Sequence, residues 1–174
     1  VTFGNNGYYM EFKASAVGAG SASTIGADTS GEDNHLTSAN LATTDQCTDT
    51  PTNNFCTLNP LSKGSNVTLS EGNLKYESSE TKGTVGTFGL TKGKWYWEIK
   101  AVDVGADTQI GIYDGNDGNG FPTSYLGVNN SSWGVISING KTIHNGSQAS
   151  YGSGFSDNDI LQVALDMDLS LIHI

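Results

Sequence analysis

Short runs of alternating apolar and polar residues recur through the second half of the chain, each closed by Gly, Asn or Asp. The clearest spans 95–102: Trp95, Trp97 and Ile99 face one way, and Tyr96, Glu98 and Lys100 the other. Such alternation marks a strand with one buried face, because successive side chains project to opposite sides. Leu161, Val163, Leu165 and Met167 repeat the pattern over 160–168. Further strands are predicted at 108–113, 125–128, 133–138 and 141–144. Upstream, Val67 and Leu69, the turn Glu71-Gly72-Asn73, then Leu74 and Tyr76 read as a hairpin, and 85–90 reads as another strand. No stretch keeps a helical period for more than a turn or two. Gly takes 23 of the 174 residues and Pro only 3, a composition suited to many turns. The pattern predicts an all-β chain, an antiparallel sandwich or barrel. A chain of this length buries a core without needing disulfides or metals.

The first third differs. Residues 7–13 alternate as a strand, with Tyr8, Met10 and Phe12 on one side. From 14 to 61, Ala, Gly, Ser, Thr, Asn and Asp dominate, over a length unusual for a loop inside a compact domain. This stretch reads as a polar connector, an irregular N-terminal arm anchored by Phe55, Leu58 and Leu61. Cys47 and Cys56 fit either a disulfide or two free thiols, and no CxxC or zinc ligand set accompanies them. Both ends read as cut from something longer: Val1 opens inside a strand, and Leu169 to Ile174 carry no turn or cap.

Charge narrows the partners. Eight Lys and no Arg stand against 18 acids, for a net charge of −10. Nucleic-acid and anionic-lipid binding are largely cation-driven, so neither is expected. No apolar run approaches 18 residues, so no membrane span is expected, and no signal peptide is visible. The acidity reads as solubility, with adaptation to salt, or a cationic or neutral ligand, as the alternatives.

Catalysis needs a constellation of groups, and none is visible. His35 lies in the connector near Asp28 and Asp33, His144 reads as a surface or core-filling residue, and His173 lies in the tail. There is no G-x-S-x-G elbow, phosphate loop or dinucleotide fingerprint. The run Asp114-Gly115-Asn116-Asp117-Gly118-Asn119-Gly120 invites a calcium reading. It misses the EF-hand spacing, with Gly118 at the fifth position and no Glu at the twelfth. It reads instead as a mobile inter-strand loop leading to Phe121, Pro122, Tyr125 and Trp133. Aromatics beside Asn and Asp suit recognition of a carbohydrate or peptide, although Trp133 taken alone reads as core, as do Trp95 and Trp97. Asn66, Asn129, Asn130 and Asn145 head Asn-x-Ser/Thr triplets, which matter only in a eukaryotic secretory protein.

Four ordered blocks carry a resemblance. Gly93-Lys94-Trp95-Tyr96-Trp97-Glu98-Ile99, Ile110-Gly111-Ile112, Trp133-Gly134-Val135 with Gly140-Lys141-Thr142-Ile143-His144-Asn145-Gly146, and the stretch from Tyr151 to Asp166 resemble the core of a SPRY domain. The resemblance implies a concanavalin-like β-sandwich that binds partners and catalyses nothing. It also implies further strands after Asp168, which the tail does not resemble. Leu169 to Ile174 is instead similar to translated adapter sequence and is set apart as a non-native tail, which leaves 160–168 with an open edge. Residues 3–12, 26–37 and 49–61 resemble a run in virion proteins of marine bacteriophages that joins a laminin-G-like sandwich to a SPRY domain.

The expected organisation is therefore the last strand of an upstream sandwich at 1–13, a connector at 14–61, an incomplete C-terminally truncated SPRY-like sandwich at 62–168, and the tail at 169–174. The expected role is a non-catalytic binding or structural module of a phage virion protein, such as a tail fibre, located in the virion. It would recognise another virion protein or a host-surface protein or glycan. The first candidate surface is Asp114, Asn116, Asp117, Phe121, Tyr125 and Trp133. No cofactor or metal is expected, and the parent protein is a possible homo-oligomer. The alternatives are an extracellular carbohydrate-binding accessory module of a secreted enzyme, and a cellular SPRY peptide-binding adaptor.

Overall fold

The computed structural model describes residues 1–46, 52, 54–105, 107–115 and 121–174. They form two compact units, Val1–Phe55 with Ser70–Lys75, and Cys56–Leu69 with Tyr76–Ile174.

Residues 1–46 contain a 3-10 turn at Thr43–Asp45 and two isolated bridges, Met10 to Asp28 and Ala16 to Thr24. The strand predicted at 7–13 is reduced to the first of these bridges. The chain leaves the extended region at Phe12, whose φ of 51° no strand accommodates. What organises the segment is Asp28, which is 5% exposed. Its carboxylate accepts the N–H of Tyr9, Ser30 and Asn34 and the Ser30 hydroxyl at 2.7–3.0 Å. Burial raises the Asp28 pKa. The four bonds outweigh it and hold the carboxyl far below the usual carboxylate range.

The second unit is all-β. Strand β1 (Leu58–Lys63) pairs antiparallel with β4 (Thr84–Gly86). It straddles the predicted end of the connector at 61, where Pro and Asn hide the strand pattern. The three expected anchors are not buried: Phe55 and Leu61 are exposed, Leu61 at 95%, and Leu58 is half-buried. β2 (Val67–Ser70) and β3 (Lys75–Ser78) form the predicted hairpin. Its tip runs through three left-handed residues, Glu71, Gly72 and Asn73. The strand predicted at 85–90 contracts to β4.

Two larger sheets make the sandwich. In one, β10 (Ile160–Asp166) lies between β5 (Lys94–Lys100) and β11 (Leu171–His173). β5 and β10 keep an unbroken register from Ile160 opposite Lys100 to Asp166 opposite Lys94. Leu161, Val163 and Leu165 form the buried face, with Val163 fully buried. Each such side chain stabilises the fold by about 1.5–3 kcal/mol. The expected open edge at β10 is therefore closed on both sides. The tail supplies the third strand, with Leu165 opposite Ile172. The Tyr151 hydroxyl fastens it, accepting the Ile174 N–H and bonding His173 Nδ1 at 3.0 Å. On the outer side, Lys94 pairs with Asp166 at 3.1 Å and holds that carboxyl below its ordinary pKa, chiefly through the hydrogen bond.

The second sheet is a four-stranded meander of β6 (Gln109–Tyr113), β7 (Ser132–Ile136), β8 (Thr142–His144) and β9 (Ser147–Ala149). Gly111 and Gly134 face each other across β6 and β7. A Cβ on Gly111 would lie 1.9 Å from the Trp133 carbonyl oxygen. That close approach explains the glycine in the Ile-Gly-Ile strand. Residues 125–128, predicted as a strand, are turns instead. Gly127 has a φ of 83°, and a Cβ on Gly134 would meet Leu126 Cδ2 at 2.9 Å. The segment thus seals the Gly134 face of the sheet, with Leu126 5% and Ile136 2% exposed.

Candidate functional site

The meander decides which predicted site residues meet. Paired residues share a face, so Trp133 lies beside Ile112 on β6 and His144 on β8. Tyr113 lies opposite Ser132, on the other face. The Asp114 N–H donates to the Ser131 carbonyl at 2.9 Å. This continues the ladder by one step and places Asp114 on the Trp133 face.

Phe121 belongs to the opposite side. Its ring meets Tyr113 edge-on at 5.7 Å and lies against Gly83, where a Cβ would stand 2.1 Å from Cε2. The Gly83 N–H donates to the Pro122 carbonyl at 2.9 Å. Phe121 and Tyr125 are both half-buried. The structure therefore separates two groups that proximity along the chain joins: Phe121 fills the space around Gly83 and Tyr113, while Trp133 and Asp114 occupy the other face. Asn116 and Asp117 lie outside the described residues.

Trp133 is 38% exposed and is therefore not a core residue. Its ring stacks on the His144 imidazole, with centroids 4.6 Å apart and planes 6° from parallel. Directly paired positions on neighbouring strands bring side chains to about this distance. His144 Nδ1 lies 3.0 Å from the Ser132 carbonyl oxygen. A carbonyl only accepts, so Nδ1 carries a proton and donates. That bond fixes the ring plane against Trp133 and leaves Nε2 with no partner among the described residues. In neutral His144, Nε2 is an acceptor. In the imidazolium it becomes a donor, and the cation stacks on an indole face. The arrangement is an aromatic plate with a polar nitrogen at one edge and the exposed carboxylate of Asp114 on the same face.

His144 gives no local signal of this role, because only the β7–β8 register brings it beside Trp133. Trp95 shows the converse. It shares the inner face with Trp97 yet is 40% exposed, because it stands near the end of an edge strand and its indole N–H donates to the Lys92 carbonyl. Among the described residues no group of three His, Cys, Asp or Glu side chains could hold a metal ion, and no helix is long and apolar enough to cross a membrane. Cys56 is an exposed free thiol; pairing with Cys47 concerns a residue outside the described ones.

Comparison with known families finds one match: residues 94–173 match the SPRY domain. The match begins at β5 and runs through β11. No curated protein matches the chain. SPRY domains are in general protein-interaction modules without catalytic activity.

Proposed function

We propose that the β-sandwich is a non-catalytic recognition module and that its contact surface is the Trp133–His144 plate with Asp114 beside it. The observation that carries this is the parallel stack itself. A partly exposed indole held in one plane presents a large contact area at little further cost in side-chain entropy, which is the profile of an interface anchor. Asp114, the aromatic face and the net charge of −10 favour a protein segment that presents Lys or Arg, engaged by cation–π and carboxylate contacts. A glycan stacking its apolar face on Trp133 is the second reading, favoured by the same flat exposed ring. The resemblance of residues 3–12, 26–37 and 49–61 to a phage virion run supports placing the module in a virion structural protein, where its partner is another virion protein or a host-surface ligand. Peptide and glycan arrays probed with the purified protein test the surface. Trp133→Ala abolishes the strongest signals and Phe121→Ala leaves them, provided the variants keep the wild-type circular dichroism. Binding that survives Trp133→Ala and Asp114→Asn removes this face as the site.

A further inference from the structure

The two histidines whose rings bond the backbone use Nδ1 in opposite senses. In His144 it donates. In His35 it accepts, because its partner at 2.9 Å is the backbone N–H of Asp28. An imidazole nitrogen that accepts a hydrogen bond carries no proton, so this bond exists only with neutral His35, protonated at Nε2. The imidazolium has N–H groups on both nitrogens, and its Nδ1–H would point at the Asp28 N–H. We propose that His35 is an acid-released latch, which holds residues 26–36 closed while neutral and lets them open when the ring is protonated.

The surroundings make the bond matter. The His35 side chain is 16% exposed and Asp28 is buried, so the freed N–H finds little water without movement of the turn. The turn is also held by the Asn34 N–H on the Asp28 carboxylate at 3.0 Å and by the Leu36 N–H on the Gly26 carbonyl at 2.8 Å, one residue beyond His35. It leaves no slack: a Cβ on Gly26 would stand 2.2 Å from the Leu36 carbonyl oxygen. The ionisable groups around the ring are few. Asp33 Oδ1 lies 3.8 Å from Nε2 and favours the imidazolium, but its side chain is 89% exposed, so water screens the attraction. The Asp28 carboxylate is committed to Tyr9, Ser30 and Asn34 and stays ionised throughout the range in which histidine titrates. Glu11 and Lys13 pair with each other. Gly20, against the His35 backbone, belongs to the stretch Gly18-Ala19-Gly20, which has no ionisable side chain.

The test is amide hydrogen exchange and imidazole nitrogen shifts by NMR between about pH 8 and pH 5, the window in which histidine changes charge. At the upper end His35 is the Nε2–H tautomer and the Asp28 amide is protected. Across the ring's own titration, the protection factors of Asp28 and Leu36 fall at least tenfold, while that of Gly146, which donates to Gly127, does not change. In His35→Gln the step with pH disappears, whatever the absolute protection. An Nδ1–H tautomer at high pH, or Asp28 protection that stays constant while the ring titrates, overturns the latch. Both of these readouts come from the wild-type protein, so neither depends on the variant folding.

Discussion

Substituting Gly111→Ala probes the tightest point of the sandwich. The added Cβ would stand 1.9 Å from the Trp133 oxygen, 2.8 Å from its carbonyl carbon and 2.7 Å from Gly134 Cα. All three are backbone atoms, so no rotamer change relieves the clash. β6 must lift from β7, with Ile110 to Ile112 moving away from Val135 to Trp133. Overpacking costs about 1–3 kcal/mol, and two weakened ladder hydrogen bonds add about 1 kcal/mol each, for a total of roughly 3–5 kcal/mol. That is a large part of the roughly 5–15 kcal/mol that holds a domain together. With a urea slope of about 2 kcal/mol per molar, the unfolding midpoint falls by roughly 1.5–2.5 M, read by tryptophan fluorescence. Gly89→Ala is the control: nothing lies within 4 Å of its Cβ, and its midpoint stays within about 0.3 M of wild type, as expected for a surface change. A Gly111→Ala protein within about 0.5 M of wild type would refute the reading of this glycine as a steric requirement.

Tyr151→Phe removes the hydroxyl that holds His173 and Ile174, so the Ile174 amide exchanges faster, with a local loss of about 1 kcal/mol. An unchanged rate would show that β11 is held by its ladder alone. Lys94→Ala frees Asp166 and moves its titration up toward the ordinary Asp range. In the wild type, the depressed pKa means that the contribution of this carboxylate is complete above about pH 4 and is lost as the solution is acidified below that; carboxyl carbon shifts read both. Asp28→Asn presents one acceptor oxygen where four donors converge, so amide protection at Tyr9, Ser30 and Asn34 collapses together. Independent responses at those three amides would contradict the role of Asp28 as their common organiser.

Much of the sandwich is legible in the sequence. Alternation locates β5, β6, β7 and β10, because in each of these the apolar residues repeat along at least one face, and the turn locates the β2–β3 hairpin. Where alternation is weak, prediction fails for a physical reason. β1 is built from Leu-Asn-Pro-Leu-Ser-Lys, and its pairing with β4 is irregular between Leu58 and Lys63. β11 is three residues long and is strand only by its pairing with β10. At 7–13 the periodicity is present but the backbone leaves it at Phe12. The site follows the same logic. Residue type and loop position point to Trp133 and Asp114, whereas the grouping with Phe121 rests on proximity along the chain. The sheet register, which places Phe121 and Trp133 on opposite faces, is a long-range property.

The segment from Phe121 to Val128 is the kind of connection usually treated as free to diversify. Here it has little such freedom. Leu126 rests on Gly134, Gly127 crosses so near Ile143 that a Cβ would meet its carbonyl oxygen at 2.7 Å, and Phe121 occupies the space that Gly83 leaves open. Variants of this protein that acquire new partners are therefore expected to change at solvent-facing positions such as Asn130 while keeping Phe121, Leu126 and Gly127. A library that randomises the whole stretch would lose most of its members to chains that do not fold.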